Sequence, residues 1–456
     1  MKKVLIANRG EIAVRIIRAC HDMGLKTVAV YSEADAEALH VLHADEAICI
    51  GEAPSAKSYL KISNILSAAE ITGADAIHPG YGFLSENANF ASICESSGVN
   101  FIGPSSKSIS LLGDKANAKA TAKSVKCPVI PGSDGIVADV KEGLKVAREL
   151  GFPIFIKASA GGGGKGIRIA HDEEEFTRQF AAARTEAEVS FGNPDVYLEK
   201  MIVNPRHIEI QVIGDKHGNY LYLFERDCTI QRRRQKLIEE APSPMLNDSM
   251  RRKIGEAAVS IVKAAGYHSV GTVEFLLDKD KNFYFMEVNT RIQVEHTITE
   301  ELVGLDLVCE QIKIANGEKL QLRQKDVVLS GHTIQMRINA ENPAKNFAPS
   351  PGTLEYYIPP GGPHVRVDSA CYAGYRIPPN YDSMIAKLIV RGKNRTHAIA
   401  IAKRALREFH IGGVHSTIPF HLYMLEDARF LNHDYTLTYI DQLMQEGCTF
   451  ENGEKN

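Results

Sequence analysis

The feature that most restricts this chain is a pair of apolar stretches, G-T-V-E-F-L-L at 271–277 and F-Y-F-M at 283–286, separated by D-K-D-K-N at 278–282. Neither has helical periodicity, and both have the bulk and length of strands buried on two faces. The polar residues between them predict an antiparallel hairpin with a loop at 279–282, setting Asp278 opposite Phe283 and Glu274 opposite Glu287. Downstream, E-V-N-T-R-I-Q-V-E alternates, with Glu287, Asn289, Arg291, Gln293 and Glu295 on one parity. In an extended chain those five polar groups line one face. An isolated segment of this kind is most often a half-solvated strand. Here, however, two carboxylates would face each other in a dry hairpin, where they repel and are costly to desolvate. Mg²⁺ relieves that cost, because it takes hard oxygens, typically one or two carboxylates plus substrate phosphates. Asn289 offers a third oxygen on the same face. The hairpin therefore reads as a magnesium–nucleotide platform, provided the register holds, since a slip of one residue separates the pair.

A chain of 456 residues exceeds one ordinary core, so two to four domains are expected. The 53 basic and 56 acidic residues give no general pull toward nucleic acid or membrane. No apolar run approaches the ~20 residues of a transmembrane helix. The apolar core of M-K-K-V-L-I-A stops after Ala7, short of the ~7–15 residues of a secretory signal. The cysteines are scattered from Cys20 to Cys448 without a C-x-x-C pair, which suits reduced cytoplasmic thiols and argues against a zinc site.

Strand-like segments at 3–7, 27–31, 47–50 and 74–77 alternate with helical ones, predicting an open parallel sheet up to Gly113. The first turn of that sheet, Asn8 to Glu11 (N-R-G-E), lacks G-x-G-x-x-G, so a dehydrogenase loses its main support. H-P-G-Y-G-F-L-S-E-N at 78–87 follows the strand ending at Ile77, where a ligand loop and a plain turn are equally compatible with the spacing. A new unit follows the helix predicted at 114–126. In it, P-I-F-I-K at 153–157 and I-R-I at 167–169 are strands flanking S-A-G-G-G-G-K-G at 159–166. Strand–loop–strand flanks exclude a Rossmann turn, and Gly166 after Gly164-Lys165 excludes a P-loop. A glycine hairpin can lay backbone N–H groups over phosphates, with Lys157 and Lys165 adding charge. Four consecutive glycines carry a large ordering cost, so such a flap should be mobile without ligand. A strand at 195–202 ends in Glu199-Lys200. His207, Glu209 and Gln211 alternate with apolar residues, and a lone histidine there is more often structural than catalytic. Q-R-R-R-Q-K at 231–236 could be a nucleic-acid patch. Its place beside predicted strands favours cations that face the acidic hairpin or pair with Glu239 and Glu240. From about 331 an α+β pattern follows, with a strand bearing Arg337, strands near 364–368 and 384–391, and a helix capped by Asn394.

N-R-G-E-I-A, H-P-G-Y-G-F-L-S-E-N, I-K-A-S-A-G-G-G-G-K-G, E-R-D-C-T-I-Q-R-R-R-Q-K and M-E-V-N-T-R-I-Q-V-E-H, in that order, closely resemble the biotin carboxylase family, over residues 2 to about 446. The resemblance implies an α/β and α+β multidomain protein. Its parts would be a Rossmann-like N-terminal domain at 1–114, a central ATP-grasp domain at 115–330 with a mobile glycine-rich lid at about 131–203, an α+β C-terminal domain at 331–446, and a tail at 447–456. It implies ATP-dependent carboxylation of biotin by bicarbonate through carboxyphosphate. It assigns Lys115, Lys157, Gly163, Gly164, Glu199, Lys200, Met201, Ile202, His207, Gln231, Arg234, Glu274 and Glu287 to ATP. Glu274, Glu287 and Asn289 would bind Mg²⁺ or Mn²⁺, as two ions. Lys236, Arg291, Gln293, Val294 and Glu295 match the bicarbonate pocket, with Glu295 as base and Arg291 and Lys236 holding the anion. Arg337 would stabilise the enolate-like form of biotin, and Tyr81 and Gly82 would line the biotin pocket.

The sequence departs from the family at two positions: Arg234 stands where many relatives have His, and Thr438 where some bacterial relatives have His. A biotinylation motif M-K-M is missing, so the expectation is a stand-alone subunit working with a separate biotin carboxyl carrier protein and carboxyltransferase subunits, most simply in acetyl-CoA carboxylase; the cysteine pattern adds a cytoplasmic location, and the family resemblance a homodimer. No nucleic acid or membrane partner is expected. The alternatives are the corresponding subunit of pyruvate or propionyl-CoA carboxylase, another ATP-grasp carboxylate ligase, and a silent ATP-binding regulator. Retention of Arg291, Glu295, Lys236 and Arg337 weighs against the last.

Overall fold

A computed structural model describes residues 1–159 and 166–450. They form two compact units: one comprises 1–127, 206–275 and 287–450, the other 128–159, 166–205 and 276–286. No helix among the described residues is long and apolar enough to cross a membrane.

The larger unit begins with the expected parallel sheet. Its strands are β1 (Lys3–Ile6), β2 (Lys26–Ser32), β3 (Glu46–Gly51), β4 (Ala76–His78) and β5 (Asn100–Phe101), in the order β3-β2-β1-β4-β5. Val4, Leu5 and Ile6 are fully buried, as a central parallel strand covered on both faces requires. The helix Gly10–Asp22 buries Ile12, Ile16, Ile17 and Cys20 against the sheet, at helical spacing. The first βα turn then clamps the loop after β4. Asn8 Nδ2 donates to the Pro79 and Tyr81 carbonyls at 2.7 Å each. Gly80 sits at φ +61°, and a β-carbon there would stand 2.9 Å from that Asn8 nitrogen. Only glycine allows both the left-handed turn and the close approach. Asn87 ends the loop by capping the helix Ala88–Ser96.

An eight-stranded sheet follows, all of it in this unit except residues 276–277 and 283–286. Six are β9 (Arg206–Gly214), β10 (Tyr220–Arg232), β11 (Gln235–Ala241), β12 (Ser269–Leu277), β13 (Phe283–Asn289) and β14 (His332–Asn339), and the last two are Met384–Gly392 and Val365–Ser369. The order is β13-β12-β9-β10-β11-β14, then Met384–Gly392 and Val365–Ser369 at the far edge. Cross-strand partners include Glu209 with Arg226, Gln231 with Lys236, Glu239 with Gln335, and Arg337 with Lys387. The helix Arg395–Glu408 packs on this sheet, capped by Asn394 as its sequence predicts.

The smaller unit is built on β6 (Ile154–Ala158), β7 (Ile167–Ala170) and β8 (Val196–Lys200), ordered β7-β6-β8 and antiparallel throughout. Helices Val140–Leu150 and Glu173–Phe191 accompany the sheet, and Phe176 and Phe180 pack with Ile154, Ile156 and Leu198 in its core. The β6–β7 hairpin is the strand–loop–strand expected around the glycine run, although Gly163, Gly164 and Lys165 lie outside the described residues.

Candidate active site

The polar faces of β9, β10, β11 and β12 converge in the larger unit. His207, Glu209 and Gln211 alternate on β9, but every residue of that strand is buried, so this is no half-solvated strand. Arg226, its guanidinium fully buried, donates to Gln211 at 2.6 Å, Gln293 at 2.6 Å, Thr272 at 2.9 Å, Thr299 at 3.0 Å and Glu209 at 3.2 Å. A buried guanidinium is tolerable only when its donors are met this completely. Lys236 on β11 reaches Glu209, Glu295 at 2.6 Å and Glu274 at 3.5 Å. Arg337 on β14 binds Glu239 at 2.6 Å and Glu295 at 3.0 Å. His207 Nε2 stands 3.1 Å from both Glu209 and Glu274. Gln231 donates to the Cys228 carbonyl at 3.0 Å and lies 3.4 Å from His207 Nδ1.

Charge sorts the acids into different roles. Burial pushes the Glu295 carboxyl up, but Lys236, Arg337 and Arg226 outweigh it and hold it well below the usual carboxylate range. Glu274 is likewise held low against its burial, by Lys236, His207 and Arg291. Glu287 goes the other way: burial and then the charge of Glu274 raise it, and the exposed Lys115 at 3.8 Å only partly offsets them. Glu239 is also raised, by burial first, with Arg337 opposing.

The hairpin differs from its sequence reading in two respects. Asp278 N–H donates to the Asn282 carbonyl at 2.9 Å, so the turn closes on Asn282 where Phe283 was expected. Lys281, at φ +63°, absorbs the irregularity. Glu287 still lies within electrostatic reach of Glu274. The extended face expected over 287–295 stops at Asn289, and the remaining residues form a turn that delivers Glu295 to the start of the helix His296–Val303. Within that turn, Gln293 donates to Glu274 at 3.0 Å, and Arg291 donates to Asn289 Oδ1 at 2.8 Å and to Glu86 at 2.9 Å. Asn289 Nδ2 donates to Glu274 at 2.7 Å. The amide oxygen meant for a metal is thus held by Arg291. The pairing expected of the basic run with Glu239 and Glu240 is also corrected. Lys236 does meet the acidic hairpin, but Arg232 donates to Asn346, Glu239 is taken by Arg337 and Gln335, and Glu240 by His332, Arg395 and Tyr435.

The remaining sequence candidates fall as follows. Tyr81 donates its hydroxyl to Glu11, and Gly82 stands at φ +68°. The Val294 carbonyl accepts from Lys387 at 3.0 Å. Arg234 is exposed in the β10–β11 turn. In the smaller unit Lys157 pairs with Glu199, Lys200 donates to the Gly151 carbonyl at 2.6 Å, and Met201 and Ile202 follow β8. Sequence reasoning passed over Arg226, Glu86, Glu11 and Lys387. For Arg226 the signal was a charge in mid-strand opposite the polar parity of β9. For Lys387 it was a lone cation inside the apolar run 384–390.

Residues 1–109 match the family described as "Biotin carboxylase, N-terminal domain", 114–323 "Carbamoyl-phosphate synthase L chain, ATP binding domain", and 335–442 "Biotin carboxylase C-terminal domain". The chain is 57% identical over 442 residues to biotin carboxylase 1 of Bacillus subtilis, covering 97% of this chain and 98% of that one. It belongs to the biotin carboxylase family. As a member it is an ATP-grasp ligase that carboxylates biotin at the expense of ATP. Two solved biotin carboxylases illustrate the likeness. One is the biotin carboxylase domain dimer of Hydrogenobacter thermophilus 2-oxoglutarate carboxylase in complex with MgADP, ADP and bicarbonate. It is 50% identical, with TM-score 0.90 and 99% of each chain covered. The other is the biotin carboxylase subunit of pyruvate carboxylase, 49% identical, with TM-score 0.89, covering 99% of this chain and 100% of that one.

Proposed function

We propose that this biotin carboxylase phosphorylates bicarbonate with MgATP and passes the carboxyl group of carboxyphosphate to biotin on a separate carrier protein, as the first half-reaction of acetyl-CoA carboxylase. The observation that carries the reading is the meeting of Lys236 and Arg337 at Glu295, with the charge of Arg226 acting on it as well, beside the like-charged pair Glu274 and Glu287.

The donor set suits divalent magnesium or manganese: burial first and then the charge of Glu274 raise Glu287, and a cation taken up by the two carboxylates would offset both. Glu274 and Glu287 would hold two such ions, joined by Asn289 once Arg291 turns from it toward the substrate anion. When bound, the metal supplies neutralisation of phosphate charge. Lys115, His207, Gln231 and Arg234 would contact the nucleotide. Lys157, Gly163, Gly164, Glu199, Lys200, Met201 and Ile202 keep the nucleotide-binding role that the family resemblance implies, with the 131–203 segment as a lid. The domain limits read from the sequence, 1–114, 115–330 and 331–446, stand as part of the same proposal.

Lys236 and Arg291 would hold bicarbonate, with Gln293 and the Val294 backbone beside it. Held low by three cations, Glu295 is a weak base. An arriving anion competes for Lys236 and adds its own charge, and both changes raise the proton affinity of Glu295. Glu295 then takes the bicarbonate proton, leaving the oxygen that attacks the γ-phosphorus. Breakdown of carboxyphosphate releases phosphate, which takes the ureido proton of biotin, and Arg337, released from Glu295 by its protonation, would stabilise the negative oxygen of the deprotonated biotin that Tyr81 and Gly82 would flank.

We also propose a homodimer that works with a biotin carboxyl carrier protein and carboxyltransferase subunits in the cytoplasm, where all eight cysteines remain free thiols. A second destination is favoured by the near-equal likeness to biotin carboxylases that serve 2-oxoglutarate and pyruvate carboxylases. Transfer of labelled carbon from bicarbonate to purified carrier proteins of the three systems separates them. Preference for the acetyl-CoA carboxylase carrier is expected, and preference for either of the others rejects that assignment.

A further inference from the structure

Lys387 lies in the strand Met384–Gly392 with 0% of its side chain exposed. A lysine ammonium is almost never fully buried unless something pairs with it. It stands directly across from Arg337 in the sheet register, on the same face. Its Nζ is 3.0 Å from Glu11 Oε2, 3.0 Å from the Val294 carbonyl and 3.9 Å from Asp368. Glu11, in the opening turn of the helix Gly10–Asp22, accepts the Tyr81 hydroxyl through its other oxygen. The peptide plane that Lys387 grips is the one whose nitrogen belongs to Glu295, and that plane is rigid. One buried cation therefore touches, through a single intermediary on one side and directly on the other, the residue assigned to biotin and the backbone assigned to bicarbonate. Fold stability alone does not ask for this arrangement, since a buried ion pair is commonly replaced by apolar side chains at no loss.

We infer that Lys387 and Glu11 are positioning residues that lock Tyr81 and the Val294–Glu295 turn into one block, so that the biotin and bicarbonate subsites keep a fixed separation. This rests on the proposed roles of Tyr81 and Glu295. The requirement is geometric: carboxyl transfer needs donor and acceptor within reacting distance, and small misplacements of such groups are costly.

Steady-state kinetics of the full chain with free biotin, alongside thermal unfolding, test the inference. In Glu11→Gln the Lys387 bond to Val294 is intact. The KM for biotin should rise about tenfold while those for bicarbonate and ATP stay within about twofold. Glu11→Gln combined with Lys387→Met removes both charges together, so its unfolding temperature should stay near that of the parent. Its KM should rise for biotin and bicarbonate together and not for ATP. Unchanged KM values for both small substrates in these variants, with or without a drop in unfolding temperature, would overturn the inference and leave a merely structural pair. Tyr81→Ala separates the two levels. If it raises the KM for biotin while the Glu11 and Lys387 variants do not, the inference fails and the pocket assignment stands. If it leaves the KM for biotin at the parental value, the pocket assignment fails and takes the inference with it.

Discussion

Glu295 and Glu287 are the same residue type set to opposite purposes by their neighbours. Three cations hold Glu295 ionised, while burial and Glu274 push Glu287 toward its protonated form. Glu295→Gln keeps the shape and removes the proton acceptor. Labelled carboxybiotin formation should fall by about 10²–10⁴-fold, the usual worth of a general base, while ATP binding, followed by nucleotide titration, is spared. Near-normal turnover would refute the role. The metal role proposed for Glu287 requires it to lose its proton, so acidification through its raised pKa should increase the Mg²⁺ concentration needed for half-maximal ADP release. Glu287→Gln should need more Mg²⁺ at every pH and lose most of that pH dependence. Glu240 is a third case, and its business is folding. His332 at 2.8 Å and Arg395 at 2.7 Å hold its carboxyl far below its ordinary 4.5, against the pull of burial. A depressed folded-state pKa stabilises above the ordinary value and loses that contribution as pH falls below it. Denaturant titrations should therefore show Glu240→Gln less stable by about 3–5 kcal/mol near neutrality, with the gap to the parent narrowing below pH 4.5.

At the scale of elements, the two-residue turn between β10 and β11 is built against its own sequence. Arg232 pairs with Gln235, leaving Arg233 at φ +48° and Arg234 at φ +66°. A type I′ turn needs both central residues left-handed, and Asn-Gly meets that need with little strain. Non-glycine residues there cost about 1–3 kcal/mol each. Arg233→Asn with Arg234→Gly should therefore raise stability by about 1–3 kcal/mol in denaturant titrations. The same change should weaken nucleotide binding if Arg234 meets a phosphate. Unchanged nucleotide affinity would remove Arg234 from the site. From sequence this run was legible as cationic and next to strands, but not as a turn, because no Gly, Asn or Asp marks one. The helix after Glu295 was hidden for a related reason. Its N-cap is a glutamate that makes no capping bond, its carboxylate being committed to Lys236 and Arg337, so the usual Ser/Thr/Asp/Asn signal is absent. Where local signals agree with the fold they were readable: the parallel strands, the glycine hairpin's flanking strands and the helix capped by Asn394 stand where pattern and capping chemistry put them.

Across the whole molecule, local pattern located strands and acids but not the contacts that make a site of them. Glu274 and Glu287 could be associated because a short hairpin joins them. The bonds of Arg226 to Gln293 and Thr299, and the pairing of Lys387 with Glu11, could not, since those partners lie far along the chain and meet only through the tertiary fold. The resemblance to the biotin carboxylase family supplied what spacing could not, and the geometry around Glu295 gives it a physical basis. Biotin carboxylation by this chain requires that ATP cleavage be chemically tied to bicarbonate and biotin. The decisive measurement is ADP release by the purified protein with Mg²⁺, leaving out bicarbonate and biotin in turn. Release that collapses without bicarbonate and rises severalfold on adding biotin is the predicted result, and release indifferent to both would contradict it.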